Sequence, residues 1–266
     1  MIPNPSSAAE VELLVGAARA GTSEPLGVSF LVPFVVPEAV EAAAGAADVV
    51  EFSHGDPDPK LVQAGKAGGA VLGWQVGSAA EAISAVDAGC NYVVAQGIEA
   101  GGHVRGRQAL DDVLREPLLA VDVPVVAAGG IGSAARVAAL LEAGAAGVRV
   151  GTRFVAADEA DAHPEYVAKL IAGSRRDTLI TEAFSVGWPG APHRVLRSAV
   201  EAAARLDRPV AATLGEREIP RFASTPPTRG TRGEIAAMAL YAGESVDAVV
   251  RIQPAAEIVG ELTVQL

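Results

Sequence analysis

The sequence has 266 residues, of which 50% are hydrophobic, so it can bury a sizeable core as one large domain or as one domain with an appendage. Its formal net charge of -11 at pH 7 repels phosphate backbones and argues against nucleic acid as a partner, although arginines gather between Arg194 and Arg232. We interpret those arginines as a solvated face or a local anion site. No apolar run reaches the roughly 18 residues of a membrane span, and the lone Cys90 is typical of a structural thiol in a reducing compartment. These features predict a cytoplasmic protein that binds neither nucleic acid nor membrane.

Six valine-rich apolar runs recur along the first part of the chain. Each predicts a strand covered on both faces, because half-exposed strands alternate polar and apolar residues. The runs begin at Leu26, Asp48, Ala70, Asn91, Val123 and Gly147. Helical patterns separate them at 37–46, 57–69, 78–89, 109–120 and 133–144. Ser78 with Glu81 fits a capping box, and Gly89 and Gly144 fit C-terminal helix caps.

This alternation of strands and helices leaves two architectures, an open doubly wound sheet or a (β/α)8 barrel. In both, the chemistry takes place at the carboxyl ends of the strands. The unusual residues of this sequence fall there: His54 and Gln75 after the second and third strands, 99–103 after the fourth, 129–130 after the fifth and 151–152 after the sixth. We therefore expect one face of the fold to collect polar groups and glycines.

Residues 155–249 break the alternation. Helices are predicted at 163–173, 193–206 and 233–243, joined by loops rich in proline, glycine and arginine, and a last helix at 254–266. This pattern predicts a barrel domain formed by 1–154 with 250–266, and a helical lid or substrate domain formed by 155–249.

Two glycine turns suggest a phosphate site. Gly129 and Gly130 precede Ser133, a good N-cap, and glycines let backbone N–H groups approach an anion at a helix start. Taken alone, this turn is explained equally well by the geometry of a strand–helix connection. Gly151 and Thr152 supply a further N–H and a hydroxyl one strand later, where barrels often bind phosphate. The pair favours a phosphorylated ligand, and a mononucleotide rather than a dinucleotide because the Rossmann glycine spacing is missing.

His103 follows the pair Gly101–Gly102, which lets the chain approach a flat ligand. An isolated loop histidine is more often a structural hydrogen-bonding residue, but this setting favours a general base. His54 is a candidate for lining the pocket, His163 for opening a helix, and His193 for a lid loop. Ligand spacing for a metal and the G-x-S-x-G elbow of serine hydrolases are both missing, so neither chemistry is expected. Glu99 either orients His103 or fixes its loop.

Three segments resemble the nitronate monooxygenase family, formerly called 2-nitropropane dioxygenases: "AQGIEAGGHVRG", "VPVVAAGGIGSAARVAALLEAGAAGVRVGTRF" and "GEIAAMALYAGESV". The resemblance runs from about Glu10 to the C-terminus and implies an FMN-dependent (β/α)8 barrel with a helical lid. It implies a role for each matching position: His103 as the base beside the flavin, Gly129, Gly130, Gly151 and Thr152 as the FMN phosphate cradle, Gly102 against the isoalloxazine, Gln75 reaching the flavin, and Ser185 as a lid serine near the substrate pocket.

The implied reaction is oxidation of a nitroalkane, or of a nitronate bound directly, to a carbonyl compound and nitrite with O2. A homodimer is left open. One alternative is an FMN-dependent enoyl-acyl carrier protein reductase using NAD(P)H, which shares E-A-G-G-H and G-T-R-F; another is a non-catalytic remnant of a flavin barrel. Compared with the family, the chain starts at the helix at 6–21, so its six strands correspond to the last six of eight in an N-terminally incomplete barrel.

Overall fold

The computed structural model describes residues 2–3 and 5–266. The chain consists of two compact units. The first unit comprises Met1–Gln96, Asp111–Ala127 and Gly144–Gly147, and the second comprises Gly97–Leu110, Ala128–Ala143 and Val148–Leu266. The division into a barrel domain (1–154 with 250–266) and a lid (155–249) stays a prediction.

The first half of the chain alternates strands and helices: β1 (Ile2–Pro3), α1 (Ala8–Arg19), β2 (Gly27–Leu31), α2 (Pro37–Ala46), β3 (Val49–Ser53), α3 (Pro59–Lys66), β4 (Val71–Val76), α4 (Ala79–Ala88), β5 (Tyr92–Gln96), β6 (Gly102–His103), α5 (Leu110–Ala120), β7 (Val125–Ala128), α6 (Ala134–Glu142) and β8 (Gly147–Arg149). Seven of these strands form one sheet in the order β1-β2-β3-β4-β5-β7-β8, with parallel pairing from β1 to β5. This is the α/β architecture of TIM-barrel type that the sequence predicts.

A row of aromatic side chains fixes the register of three strands in the first unit. Phe30 lies opposite Phe52, and Phe52 lies opposite Trp74. Their ring centroids are 6.0 Å and 4.8 Å apart in that order, and all three side chains are fully buried. Such continuous burial is the reason that the strands read as unbroken apolar runs.

The neighbouring row contains a buried carboxylate. Glu51 lies opposite Gly73, and the Tyr92 hydroxyl donates a 2.9 Å hydrogen bond to Glu51 Oε2. A Cβ on Gly73 would lie 2.1 Å from the Tyr92 ring. Glycine is therefore required at this position because the tyrosine ring of the adjacent strand covers it.

All six predicted strands and the five helices between them are confirmed. Ser78 Oγ accepts from the N–H of Glu81, and the Glu81 carboxylate accepts from Gly77 N. Gly89 and Gly144 have φ angles of +106° and +105°, as helix-ending glycines require. The short strand β1, ahead of the first helix, was not predicted because two residues carry no periodicity.

The rest of the second unit contains more strand than the sequence predicts. Its elements are α7 (Thr152–Val155), α8 (Pro164–Ile171), β9 (Thr178–Thr181), β10 (His193–Leu196), α9 (Arg197–Arg205), β11 (Val210–Leu214), β12 (Arg217–Pro220), β13 (Thr231–Gly233) and α10 (Ala255–Thr263). Two antiparallel sheets, β6-β10-β9 and β12-β11-β13, accompany the helices. The last helix, α10, packs against α6.

Two helix predictions in this segment were wrong. The helix predicted at 193–206 begins only at Arg197, because its first four residues form β10. The helix predicted at 233–243 is reduced to a 3-10 turn at Ile235–Ala237. Its following backbone is bonded to β10 instead, through Leu196 N to Leu240 O and Ala242 N to Arg194 O.

Arg194 and Cys90, two residues that the sequence analysis singled out, are both buried. Arg194 donates to Ile98 O and pairs with Glu244, so it does not belong to a solvated face, one of the two interpretations given for the arginines between Arg194 and Arg232. Burial raises the pKa of the Cys90 thiol to about 11, which agrees with a structural thiol. Among the described helices, none combines the length and the apolarity needed to cross a membrane.

Candidate active site around His103

His103 lies on a strand lined by aromatic rings. In the β6–β10 ladder it is paired with His193, and Gly102 is paired with Arg194. Its imidazole stacks on Trp188 with ring centroids 3.9 Å apart and an interplanar angle of 24°. The rings of His193 and Tyr241 lie 5.2 Å and 5.5 Å away. The half-buried His103 ring is thus held in a defined orientation, unlike a histidine in a solvated loop.

His193 is a fixed, neutral neighbour of His103. The N–H of Phe184 donates to Nε2 at 3.3 Å, so the proton is on Nδ1, which donates to Ala191 O at 2.8 Å. The side chain is fully buried, and burial lowers the pKa of His193. Both ring nitrogens are engaged, so His193 supports the site rather than exchanging protons. The sequence predicts His193 in a lid loop, whereas the structure places it at the start of strand β10.

Tyr241 is held by a chain of hydrogen bonds. The Tyr166 hydroxyl donates to Tyr241 O, and the Tyr241 hydroxyl donates to Ser224 O at 2.7 Å. Burial raises the pKa of both tyrosines, so both stay protonated at neutral pH. Together with Trp188, Tyr241 forms an uncharged wall beside His103.

The two glycines before His103 serve different purposes. A Cβ on Gly101 would lie 2.4 Å from Gly243 N, so Gly101 permits close packing of two backbones. Gly102 has φ +80°, and a Cβ there would meet nothing within 4 Å. Gly102 therefore leaves open space directly beside His103.

Glu99 anchors the loop that leads to His103. Its carboxylate accepts from Leu110 N, the first residue of α5, at 3.2 Å and 3.0 Å. Its backbone carbonyl accepts from Glu244 N at 2.9 Å. Of the two roles open for Glu99, these contacts support fixing the loop.

The turn at Gly129 and Gly130 packs beneath this same loop. Their φ angles are +108° and +66°, and a Cβ on Gly130 would lie 2.8 Å from the Cβ of Glu99. The His103 loop is tied to β7, the strand that leads into the glycine turn, because Gly97 N donates to Ala128 O at 2.9 Å. The glycine turn and the His103 loop therefore form one packed assembly in the second unit.

The turn at Gly151 and Thr152 joins this assembly. Thr152 is buried, and its Oγ1 accepts from Gly243 N at 3.0 Å, which leaves the hydroxyl proton able to donate elsewhere. A Cβ on Gly151 would meet nothing within 4 Å, so there is open space here too. Next in sequence, the buried Arg153 donates to Gly132 O at 3.0 Å and pairs with Glu261 of α10. Sequence reasoning missed Arg153, since a single arginine in a turn resembles a surface residue.

The other predicted site residues are divided between the units. Ser185 is half-buried in the loop that carries Trp188, and its carbonyl accepts from Trp188 N at 3.0 Å. His54 follows β3 in the first unit with φ +58°, a conformation uncommon for a histidine. Gln75 ends β4 in the same unit; it is 7% exposed, and its Nε2 has no hydrogen-bond partner among the described residues.

Comparison with known proteins identifies the family. The family model for nitronate monooxygenase matches residues 14–265. The chain belongs to the nitronate monooxygenase family. It is 34% identical over 142 residues to a probable nitronate monooxygenase of Bacillus subtilis, covering 50% of this chain and 41% of that protein.

Another relative carries a different name. A (3aS,4S,5R,7aS)-5-hydroxy-7a-methyl-1-oxo-octahydro-1H-indene-4-carboxyl-CoA dehydrogenase of Rhodococcus jostii is 32% identical over 198 residues, covering 71% of this chain and 52% of that protein. This nitronate monooxygenase family member thus spans about half the length of the curated relatives it matches.

Two solved structures resemble the whole chain. FabK from Thermotoga maritima has a TM-score of 0.76 at 27% identity, covering 96% of this chain and 80% of that one. A nitroalkane oxidase from Streptomyces ansochromogenes has a TM-score of 0.75 at 25% identity, covering 98% and 85%. The family and these likenesses support an oxidoreductase with a flavin cofactor.

The residues of this nitronate monooxygenase family member fit such a cofactor. The open spaces at Gly102 and Gly151 admit a ligand that a side chain would block. The left-handed backbone at Gly129 and Gly130 presents a turn before the start of α6, where N–H groups favour an anion.

Proposed function

We propose that the protein oxidises nitronates and nitroalkanes to carbonyl compounds and nitrite, using FMN and O2. The observation that carries this proposal is the placement of His103 beside the open space at Gly102, with its ring held by Trp188, His193 and Tyr241. A cytoplasmic location and a homodimer stay predictions.

The cofactor would be held by the two glycine turns and by the residues around them. Gly129, Gly130, Gly151 and Thr152 would hold the phosphate through backbone N–H groups and the threonine hydroxyl. Gly102 would give clearance to the ring system. A contact of Gln75, in the first unit, with the flavin stays a prediction. When bound, the flavin supplies the electron-accepting chemistry of the oxidation.

His103 would remove the carbon-bound proton of a neutral nitroalkane at one of its ring nitrogens. An imidazole suits this task because its ordinary pKa of about 6.5 lies close to neutral pH. The neighbouring His193 stays neutral at pH 7, so it does not oppose the imidazolium that forms. Trp188 and Tyr241 orient the ring and shield it from water. We assign Ser185 to the substrate pocket, and a pocket role for His54 of the first unit stays a prediction.

His103→Ala tests the base. Oxidation of neutral nitroalkanes should fall about 100-fold or more, the usual contribution of a general base, while preformed nitronates keep part of their turnover. Oxygen uptake with both substrates is the measurement. The matched control is His163→Asn, because His163 caps α8 through Nδ1 and asparagine is an equally good N-cap. Equal retention of both activities in His103→Ala would contradict the role.

A second candidate function is reduction of an enoyl thioester with NAD(P)H, as in FMN-dependent enoyl-acyl carrier protein reductases. The likeness to FabK over 96% of the chain favours it. NAD(P)H consumption with an enoyl thioester, compared with oxygen uptake on a nitronate, separates the two activities. A visible spectrum without flavin, unchanged by added FMN, would exclude both and support a non-catalytic remnant.

A further inference from the structure

A cavity of about 740 Å³ begins one residue beyond His103. Val104 N donates to Pro192 O at 2.9 Å, directly after the His103–His193 pair of the ladder, and both Val104 and Pro192 line the cavity. All of its lining residues belong to the second unit. The volume lies within the range of about 300 to 1,000 Å³ typical of small-molecule sites. A short nitroalkane would leave most of it unfilled.

The lining of this cavity combines apolar and charged side chains. Ile98, Val104, Ile180 and Pro192 provide the apolar surface. Arg105, Arg107 and Glu182 are the charged lining residues.

Arg107 is available to a ligand. Its side chain is exposed, and it makes no ion pair with any other residue of the described chain. A guanidinium presents a planar fork of donors that matches a carboxylate or a phosphate. Arg105 lies two positions earlier on the same wall, across Gly106.

We propose that this cavity binds an amphiphilic anion, with an apolar body against Ile98, Val104 and Ile180 and a carboxylate or phosphate at Arg107. In the substrate, the apolar body and the anionic group would together form the part that extends beyond the atoms reacting at His103. The identification of the anion as substrate rests on the proposed function. Its binding does not, because binding depends on neither flavin nor turnover.

Calorimetric titration of the full chain with octanoate, octyl phosphate and the neutral 1-octanol tests the site. Both anions should bind at least tenfold more tightly than the alcohol. Arg107→Gln should weaken anion binding about tenfold and leave octanol unchanged, because it removes only the charged contact. The matched control is Arg205→Gln, an exposed arginine of α9 that does not line the cavity and should bind like the wild type.

A second variant probes the apolar body. Ile180→Trp places a larger ring in the cavity and should weaken binding of all three compounds; circular dichroism verifies that it folds. Tighter binding of octyl phosphate assigns a phosphorylated substrate, and tighter binding of octanoate assigns a carboxylic acid. Equal affinity for octanol and the anions, or equal affinities in Arg107→Gln and Arg205→Gln, would overturn the proposal. Flavin uptake by the same samples reports separately on the proposed function.

Discussion

The two units of this protein are stabilised by contacts of different kinds. In the first unit, neighbouring strands follow one another in sequence, and the aromatic row Phe30, Phe52 and Trp74 joins strands about 20 residues apart. In the second unit, His103 meets residues 188, 193 and 241, and Arg153 joins Gly132 to Glu261. The scaffold therefore depends on repeated local burial, whereas the candidate site depends on single contacts between distant segments.

This difference can be tested because each unit contains one tryptophan. Trp74 is fully buried in the first unit, and Trp188 stacks on His103 in the second. With Trp188→Phe, fluorescence reports on the first unit alone, and with Trp74→Phe it reports on the second. Urea unfolding in these two backgrounds measures the free energy of unfolding at each reporter.

The largest effect is expected from Phe52→Ala in the first unit. Phe52 is fully buried between Phe30 and Trp74, and such a truncation typically costs about 3 to 5 kcal/mol of unfolding free energy. The Trp74 transition should move to lower urea concentration by that amount. The control is Phe34→Ala, which removes a 41% exposed ring and should cost much less. Equal losses at both positions would contradict the importance of the aromatic row.

A smaller loss is expected from Arg153→Met in the second unit. The change removes the hydrogen bond to Gly132 O and the ion pair with Glu261, contacts that together are worth about 2 kcal/mol. The Trp188 transition should move to lower urea concentration. FMN should bind more weakly because the glycine turn loses its tie to α10. Arg205→Gln, which removes an exposed ion pair, should change the stability by less than about 0.5 kcal/mol. An unchanged FMN affinity in Arg153→Met would show that Arg153 does not position the turn.

The same difference explains how much the sequence could predict. The strands of the sheet were recognisable because burial on both faces leaves unbroken valine-rich runs, and Gly102 and His103 stood out at a strand end. Strand β10 was hidden, because its partner Gly102–His103 lies far away in sequence and its own four residues merge into a helical pattern. Trp188, His193 and Tyr241 could not be placed beside His103 for the same reason: no periodicity encodes a contact between single distant residues.

The smallest effect is expected from acid. Hydrogen bonding to Arg153 is the main cause that lowers the pKa of Glu261 below its ordinary value. A carboxylate with a lowered pKa in the folded state contributes stability above its unfolded pKa of about 4.3 to 4.5, and this contribution is lost as the pH falls through the folded value. In the Trp74→Phe background, the unfolding free energy reported by Trp188 should therefore fall more steeply below pH 4.5 with Glu261 present than with Glu261→Gln, which has no carboxylate to protonate. Because Glu261 is 42% exposed, solvent screens the pair and the difference should be small. Parallel acid profiles in the two proteins would show that Arg153 is held by its bond to Gly132 and not by α10.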